Sequence, residues 1–353
     1  MSINARTLAL LGDRRDDLVT TLDAQTLALT KAWVEAWDVL APEFDAALTE
    51  LLAAAKDGRL TGSQVARNIR LRKALTLAAE RLDELAQTTM VTVQADVALT
   101  ALAAAQSQIE VLQSQLPPAG QVATLPTFTQ VSTAAMDAIV LRITGQIESA
   151  ADPLSVDAQL AMRRNLVRGI AVGENPRVTA RRMIRETEGH FNGGLTRALT
   201  IARTETLDAH RSGGRASDIA NADVMRGWAW GANLDAKTCI ACLSKHGTEY
   251  PLEEEGPKGH QNCRCDRIPV TKSWRDLGFE GIDEPPSLMQ SSEEWFGNLT
   301  ERTQLSIMGP SRLELYRSGD AQWADFATVK QNAGWRDSVA VTPVRDLRAS
   351  VLA

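Results

Sequence analysis

The 353-residue chain is poor in aromatic residues, at 5 %, and holds only four cysteines, four histidines and two tyrosines. So few cysteines exclude a disulfide scaffold as the frame of a chain this long. The charge balance has no basic excess: the formal net charge is −6. Nothing global therefore advertises a nucleic-acid or membrane partner. No run of about eighteen apolar residues stands out, so no membrane-crossing helix is expected. The start, Met1-Ser2-Ile3-Asn4-Ala5-Arg6 followed by the charged run Gly12–Asp17, lacks the apolar stretch of a signal peptide. What is present is ordinary, with 44 % hydrophobic and 23 % charged residues. The expectation is a folded protein of two or three domains, assembled in a cytoplasm.

The scarce cysteines are all spent in one place, between Cys239 and Cys265. The segment reads Cys239-Ile240-Ala241-Cys242, then a loop, then His260-Gln261-Asn262-Cys263-Arg264-Cys265. Two cysteines separated by two residues can converge on one ion from a single tight turn. The second cluster then closes a tetrahedral site with bonds of about 2.3 Å to each sulfur. Five side chains compete for four places. Cys239, Cys242 and Cys263 rank first, and His260 and Cys265 compete for the fourth. The intervening loop contains Gly247, Pro251, Gly256, Pro257 and Gly259, so it is a turn-rich excursion rather than a helix. A structural zinc is the favoured reading. Two disulfides, free thiols or a catalytic metal are the alternatives. A cytoplasmic chain rarely keeps disulfides, and a catalytic zinc keeps one position open, which five soft ligands oppose.

The first third is helical by periodicity. Leu18, Leu22, Leu29, Trp33, Trp37, Leu40, Phe44, Leu48 and Leu51 recur on one helical stripe. Pro42 falls inside it and is expected to kink the helix or begin a new one. Asp57-Gly58 is a stop, and Ser63 is a candidate N-cap for a second helix running with one break to Leu116. Ile69, Leu82, Leu85, Leu102, Ile109, Leu112 and Leu116 make its seam. Pro117-Pro118-Ala119-Gly120 ends it. Two long stripes joined by a turn read as an antiparallel hairpin or bundle.

Residues 122–133 read as a linker. A helix around Met136–Ile147 and another from Asp152-Pro153 follow. Gly173 is a helix stop and Asn175-Pro176 a fresh start. Asn192-Gly193-Gly194 and Gly213-Gly214 are expected to break the helices around them. All basic residues from Arg163 to Arg215, apart from histidine, are arginine. They read as solvated helix faces or as an anion-binding face. Arg203 and Glu205 are two apart and point to different faces, so each is expected to tie its helix to the cysteine region. Arg226–Ala232 places Trp228 and Trp230 on one face of a strand, and Arg264–Val270 is a second extended run. In the tail, Ser291 starts a helix, Gly309-Pro310 restarts one, and Trp323, Phe326 and Val329 suggest a last packed turn. The segment from Val344 onward reads as a tail or arm.

The fold class is α+β, mainly α. An N-terminal long-helix hairpin or bundle precedes a helical domain with a small antiparallel sheet pinned by the cysteine/histidine cluster. The expected domains are 1–120, the connecting helices 121–165, the cysteine/histidine domain 166–270 and a C-terminal extension 271–353.

One ordered set of motifs carries a resemblance. Gly169-Ile170, Gly173-Glu174-Asn175-Pro176, Ala202-Arg203-Thr204-Glu205, Trp228, Asp235, Thr238-Cys239, Cys242, Gly247 and His260-Gln261-Asn262-Cys263-Arg264-Cys265 follow one another. In that order, over about residues 166–270, the chain resembles the Mu F-like phage minor head proteins. The tail, with Glu294-Trp295-Phe296, Gln304, Gly309-Pro310 and Trp335, is similar to the carboxy-terminal part of such proteins. The resemblance implies a bacteriophage virion component rather than a metabolic enzyme. It would be a minor capsid protein of the head interior, made in the host cytoplasm and bound near the portal. Its work would be head morphogenesis, genome packaging or delivery. Implied partners are the portal protein, with scaffold, major capsid protein and packaged DNA as further candidates. No membrane partner is expected.

Two other classes stay open on the residues alone. A zinc-containing nuclease would use His260 and His246 as acid–base groups. A DNA-binding module would use the arginine-rich helices.

Overall fold

A computed structural model describes residues 3–54, 62–122, 124–151, 176–332 and 336–351. Its elements are α1 (Ala5–Ala53), α2 (Gly62–Arg67), α3 (Ile69–Ser114), α4 (Thr133–Ala151), α5 (Pro176–Ala220), β1 (Met225–Gly231), α6 (Ile240–Lys245), β2 (Glu249–Pro251) and β3 (Asp266–Thr271). Then follow α7 (Ser292–Gly297), α8 (Glu301–Met308), α9 (Pro310–Ser318), a 3-10 turn (Trp323–Phe326), β4 (Ala327–Lys330), β5 (Ser338–Val341) and α10 (Val344–Val351). The protein is mainly helical with small antiparallel sheets, as the periodicity and strand patterns implied. The expected helix from Asp152-Pro153, the stop at Gly173, the stop at Asp57-Gly58 and Trp335 of the tail lie outside the described residues.

One compact unit comprises Thr20–Asp96 and Leu141–Thr206. The stripe read from α1 is its core: Leu22, Leu29, Trp33, Leu40, Phe44, Leu48 and Leu51 are buried, with Leu71, Leu82 and Leu85 of α3. Ile143 and Ile147 of α4 and Phe191 of α5 are buried too. Trp33 donates from Nε1 to the Phe191 carbonyl at 3.0 Å, and the Trp37 and Phe191 ring centres lie 5.2 Å apart. The helix runs through Pro42, which sits on the exposed side. The lost backbone bond costs about 3 kcal/mol in a helix interior, and the apolar stripe on both sides outweighs it. The break between α2 and α3 falls at Asn68, whose Oδ1 accepts from the Leu71 N–H at 2.7 Å as a helix cap. Ser63 lies within α2.

The second unit comprises Met1–Val19, Val97–Val140 and Leu207–Ala353. Its three-stranded sheet has the order β2-β1-β3, antiparallel throughout. Alternation along β1 divides the sheet's two faces. Trp228 and Trp230 point to the cysteine side with Tyr250, whose ring stacks on Trp228 at 4.5 Å. Ala229 points the other way, into a cluster with Ile3 and Leu11 of the N-terminal segment, Val111 of α3, and Ile268 and Val270. The free edge of β3 is closed by one side chain. The Gln115 amide donates to the Pro269 carbonyl at 2.7 Å and accepts from the Thr271 N–H at 3.2 Å, standing in for a neighbouring strand.

Two expectations about glycine are corrected. Helix α5 runs unbroken from Pro176 to Ala220, through Gly193-Gly194 and Gly213-Gly214. Gly213 serves packing rather than termination: a Cβ there would stand 2.1 Å from the Ala101 carbonyl oxygen of α3. Only glycine lets the two helix backbones approach so closely.

The segment from Val344 is also not an arm. It forms α10, and Leu347 is buried with Ile240 and Leu243 of α6 and with Phe296, Leu313 and Phe326. The tail helices begin and end where local chemistry says. Ser291 and Thr300 cap α7 and α8, and Gly309 at φ 75° and Gly319 at φ 83° turn the chain at either end of α9. By length and composition alone, α3 is long and apolar enough to cross a membrane, a test that a core helix also passes. It meets that test because its second half is crowded with alanine, valine and leucine and carries few charges. Its buried Gln108 nevertheless bonds to Arg14 and to Asp218, which is core-helix behaviour.

Candidate metal centre

The first half of the site is a helical turn set up by an aspartate. Asp235 Oδ1 accepts from the Lys237 N–H at 2.9 Å and the Thr238 hydroxyl at 3.1 Å, which folds the chain back into Cys239. Cys239 occupies the N-cap position of α6 and Cys242 falls in its first turn. The short helix is amphipathic. Ile240 and Leu243 face the C-terminal aromatic cluster, while Ala241 and Cys242 face the tryptophans of β1. The C-terminal extension thus forms the wall behind the cysteine helix. The far end of α6 is stitched to β1 by Gly247 N–H to Trp230 carbonyl and Trp230 N–H to Thr248 carbonyl, both 2.9 Å.

The second half is a tight turn. The Cys263 N–H donates to the His260 carbonyl at 3.0 Å, and Asn262 sits at φ 59°. Asparagine tolerates that left-handed conformation better than most residues. His260 Nδ1 donates to the Gln261 carbonyl at 2.7 Å. A carbonyl only accepts, so Nδ1 carries the proton and Nε2 is turned toward the sulfurs.

The five expected ligands gather in two groups that share Cys242. His260 Nε2 lies 3.3 Å from Cys239 Sγ and 3.4 Å from Cys242 Sγ. Cys242 Sγ lies 3.7 Å from Cys263 Sγ. A tetrahedral zinc with its usual bond lengths sets sulfur–sulfur edges of about 3.8 Å and sulfur–nitrogen edges of about 3.5 Å. The contacts match those edges. The donors form two triads, Cys239/Cys242/His260 and Cys242/Cys263/Cys265, each with its donor atoms within 4.8 Å of one another. Cys242 belongs to both. Either triad could hold a metal ion, and the four thiols are free of disulfides.

The four thiols divide. Cys242 is pushed up, first by its hydrogen bond with Cys239, and Cys265, against its bond with Cys242, is pushed up by Cys263 and burial, whereas the other two are lowered. The Cys239 thiol is held down to about 5 by its hydrogen bond with Cys242, against burial, and by His260. His260 is pushed up to about 9, chiefly by Cys239. Cys263 is lowered by its bonds with Cys242 and Cys265 and by the nearby Arg211 guanidinium. Thiolates are what a soft metal binds.

His246, the other histidine weighed for acid–base work, sits elsewhere. Its Nδ1 accepts from the Ala232 N–H at 3.0 Å, and burial lowers its pKa. It braces the end of α6 to the strand.

Two arginines that spacing did not single out frame the centre. Arg211 of α5 donates from Nη1 to the carbonyls of Cys263 at 3.0 Å and Cys265 at 3.4 Å. Arg211 thus ties α5 to the second half. Arg264, between the last two cysteines, grips Asp235 with two bonds of 2.7 Å. A further polar network runs past the edge of the sheet, with Arg267 on the tryptophan face over Trp228. Arg14 of α1 bonds to Gln108, to His210 at 3.1 Å and to Asp266 at 3.1 Å. Gln108 and Arg267 both bond to Asp218, at 2.7 and 2.6 Å. Arg267 then reaches the carbonyls of Leu252, Glu254 and Gly256, holding the excursion that joins the two cysteine halves. A long-range network of this kind has no periodic signature. Only the pairing of a buried acid with a strand arginine betrays it once the fold is known.

Residues 161–268 match the model of the family described as phage Mu protein F like protein. The chain carries a Mu F-like segment. The matched residues include all five candidate ligands, Asp235, Arg211, Asp218 and Arg267. The Mu F-like segment leaves out Arg14 and Gln108, which complete its core, and the tail helices that wall in α6. No curated protein and no solved structure matches the chain.

Proposed function

We propose that this chain is a minor capsid protein of a bacteriophage, lying in the head interior near the portal and acting in head assembly and genome packaging or delivery. The observation that carries the reading is the Mu F-like match over residues 161–268, a family of phage head morphogenesis. Its partners are then other head proteins, first the portal protein, with scaffold and major capsid protein as further contacts.

The cysteine/histidine centre serves this role as a structural zinc site. Cys239, Cys242 and Cys263 hold the ion with His260 or Cys265 in the fourth place. Bound there, zinc supplies a cross-link between two chain segments some twenty residues apart, with folding energy to match. The chemistry of the donors supports this: three thiolates with one oriented imidazole, or four thiolates, saturate a tetrahedral ion. A reaction centre would need an open position and an acid–base group beside it. His246, hydrogen-bonded to the Ala232 N–H, is committed elsewhere.

The test is protein composition of purified heads. The chain is expected in portal-containing particles at few copies per head, and it should co-purify with the portal protein when the two are expressed together. Absence from heads, together with turnover of DNA by the purified chain, would contradict the proposal.

A further inference from the structure

We infer that Asp235 and Arg264 set the affinity of the centre for its ion, by locking the two ligand-bearing halves together before any metal arrives. The inference rests on the zinc reading above and names the residues that position its ligands.

Three observations carry it. First, the pair joins the halves. Asp235 opens the turn that delivers Cys239 and Cys242, whereas Arg264 lies between Cys263 and Cys265. Second, the contact has the strongest geometry an ion pair takes: Arg264 Nη1 to Asp235 Oδ2 and Nη2 to Oδ1, both at 2.7 Å. A bidentate fork fixes orientation as well as distance. Third, the same atoms also build the first turn. Arg264 Nη2 reaches the Thr238 hydroxyl at 3.1 Å, and Asp235 Oδ1 caps the Lys237 N–H and Thr238 hydroxyl. Cys239 follows directly. No sulfur takes part, so the lock does not depend on the ion.

The geometry explains why residue 264 is in the lock and its neighbours are in the site. Leading into β3, Cys263 and Cys265 reach Cys242, and Arg264 between them reaches Asp235 and Thr238 of the turn. Arg211 secures the same stretch from behind through the two cysteine carbonyls. The ligands are thus held by backbone anchored on both sides. An ion entering such a site loses little binding free energy to ordering the chain. Removing partners that orient ligands lowers metal affinity by about 10- to 100-fold.

The experiment is a zinc competition titration of the full chain against a chromophoric chelator, repeated with cobalt(II) to read the thiolate charge-transfer bands. Asp235→Asn and Arg264→Lys keep size and, for lysine, charge, but neither restores the fork. Each is expected to weaken zinc binding by about 10-fold or more. The double variant should fall little below the single ones, because each already breaks the same contact. Glu249→Gln, which removes an exposed partner of Arg226 on the sheet's far edge, is the control and should bind as the wild type does. Circular dichroism of the metal-free variants should match that of the metal-free wild type, which separates positioning from folding. Asp235→Asn and Arg264→Lys binding zinc within twofold of a zinc-binding wild type would overturn the inference and leave the zinc reading standing. A wild type that takes up no zinc or cobalt would overturn both.

Discussion

Replacing Arg267 by methionine is the sharpest perturbation of the frame around the centre. The guanidinium and its partner Asp218 are both fully buried, 2.6 Å apart. Methionine fills similar length with no donor. Asp218 keeps only its bond from Gln108. The carbonyls of Leu252, Glu254 and Gly256 lose a donor together, and the Trp228 ring loses a cation at 4.5 Å. Breaking a buried pair by removing one member costs about 3–5 kcal/mol, since the other charge stays behind. Most of a marginal domain's stability is of that order.

The pH dependence has a definite sign. Burial raises Asp218 from 3.8 to about 6, even with Arg267 beside it. A folded pKa above the unfolded one contributes stability that is full below about 3.8 and is lost as pH rises through about 6. Without Arg267 the carboxyl rises further, so it is neutral over more of the range. The variant's deficit should therefore be smaller at pH 5 than at pH 7. Urea unfolding followed by tryptophan fluorescence at both pH values measures it. Adding Asp218→Leu should recover part of the loss, because two apolar residues leave no charge unpaired. A loss below about 1 kcal/mol at pH 7, or a double variant as unstable as the sum of the single ones, would refute the reasoning.

Other outcomes follow from single contacts. Gly213→Ala should destabilise by about 1–3 kcal/mol despite the better helix propensity of alanine, because its Cβ meets the Ala101 carbonyl; a rise in Tm would contradict the close approach. Gln115→Ala should speed hydrogen exchange at the Thr271 amide, its partner at 3.2 Å, and cost about 1–3 kcal/mol; unchanged exchange would mean the β3 edge is closed by something else. Cys242→Ser should reduce zinc content more than Cys265→Ser, because Cys242 alone belongs to both triads; equal loss from both would place them on the same footing.

The sequence carried the parts of this structure that repeat or cluster. The α1 stripe from Leu22 to Leu51 needed only helical spacing, and the cysteine halves needed only their count and separation. Trp228 and Trp230 declared a strand by alternation. What escaped notice depends on partners distant in the chain. Gly213 looks like a stop until Ala101 is beside it, since propensity says nothing of a close helix crossing. The run after Val344 looks like an arm because eight residues give too few turns for a stripe. Leu347 finds its place only against Phe296 and Phe326. Arg211 reads as one of a series of helix arginines, solvated or anion-binding, and Arg264 as the start of an extended run. Their roles come from carbonyls and an aspartate that the fold brings up to them.

Zinc K-edge X-ray absorption on the purified full chain tests the central claim most directly. The predicted result is about one zinc per chain with three or four sulfurs at about 2.3 Å, and a nitrogen at about 2.0–2.1 Å if His260 holds the fourth place. A chain free of zinc, or an ion with a shell of oxygen and nitrogen alone, would contradict it.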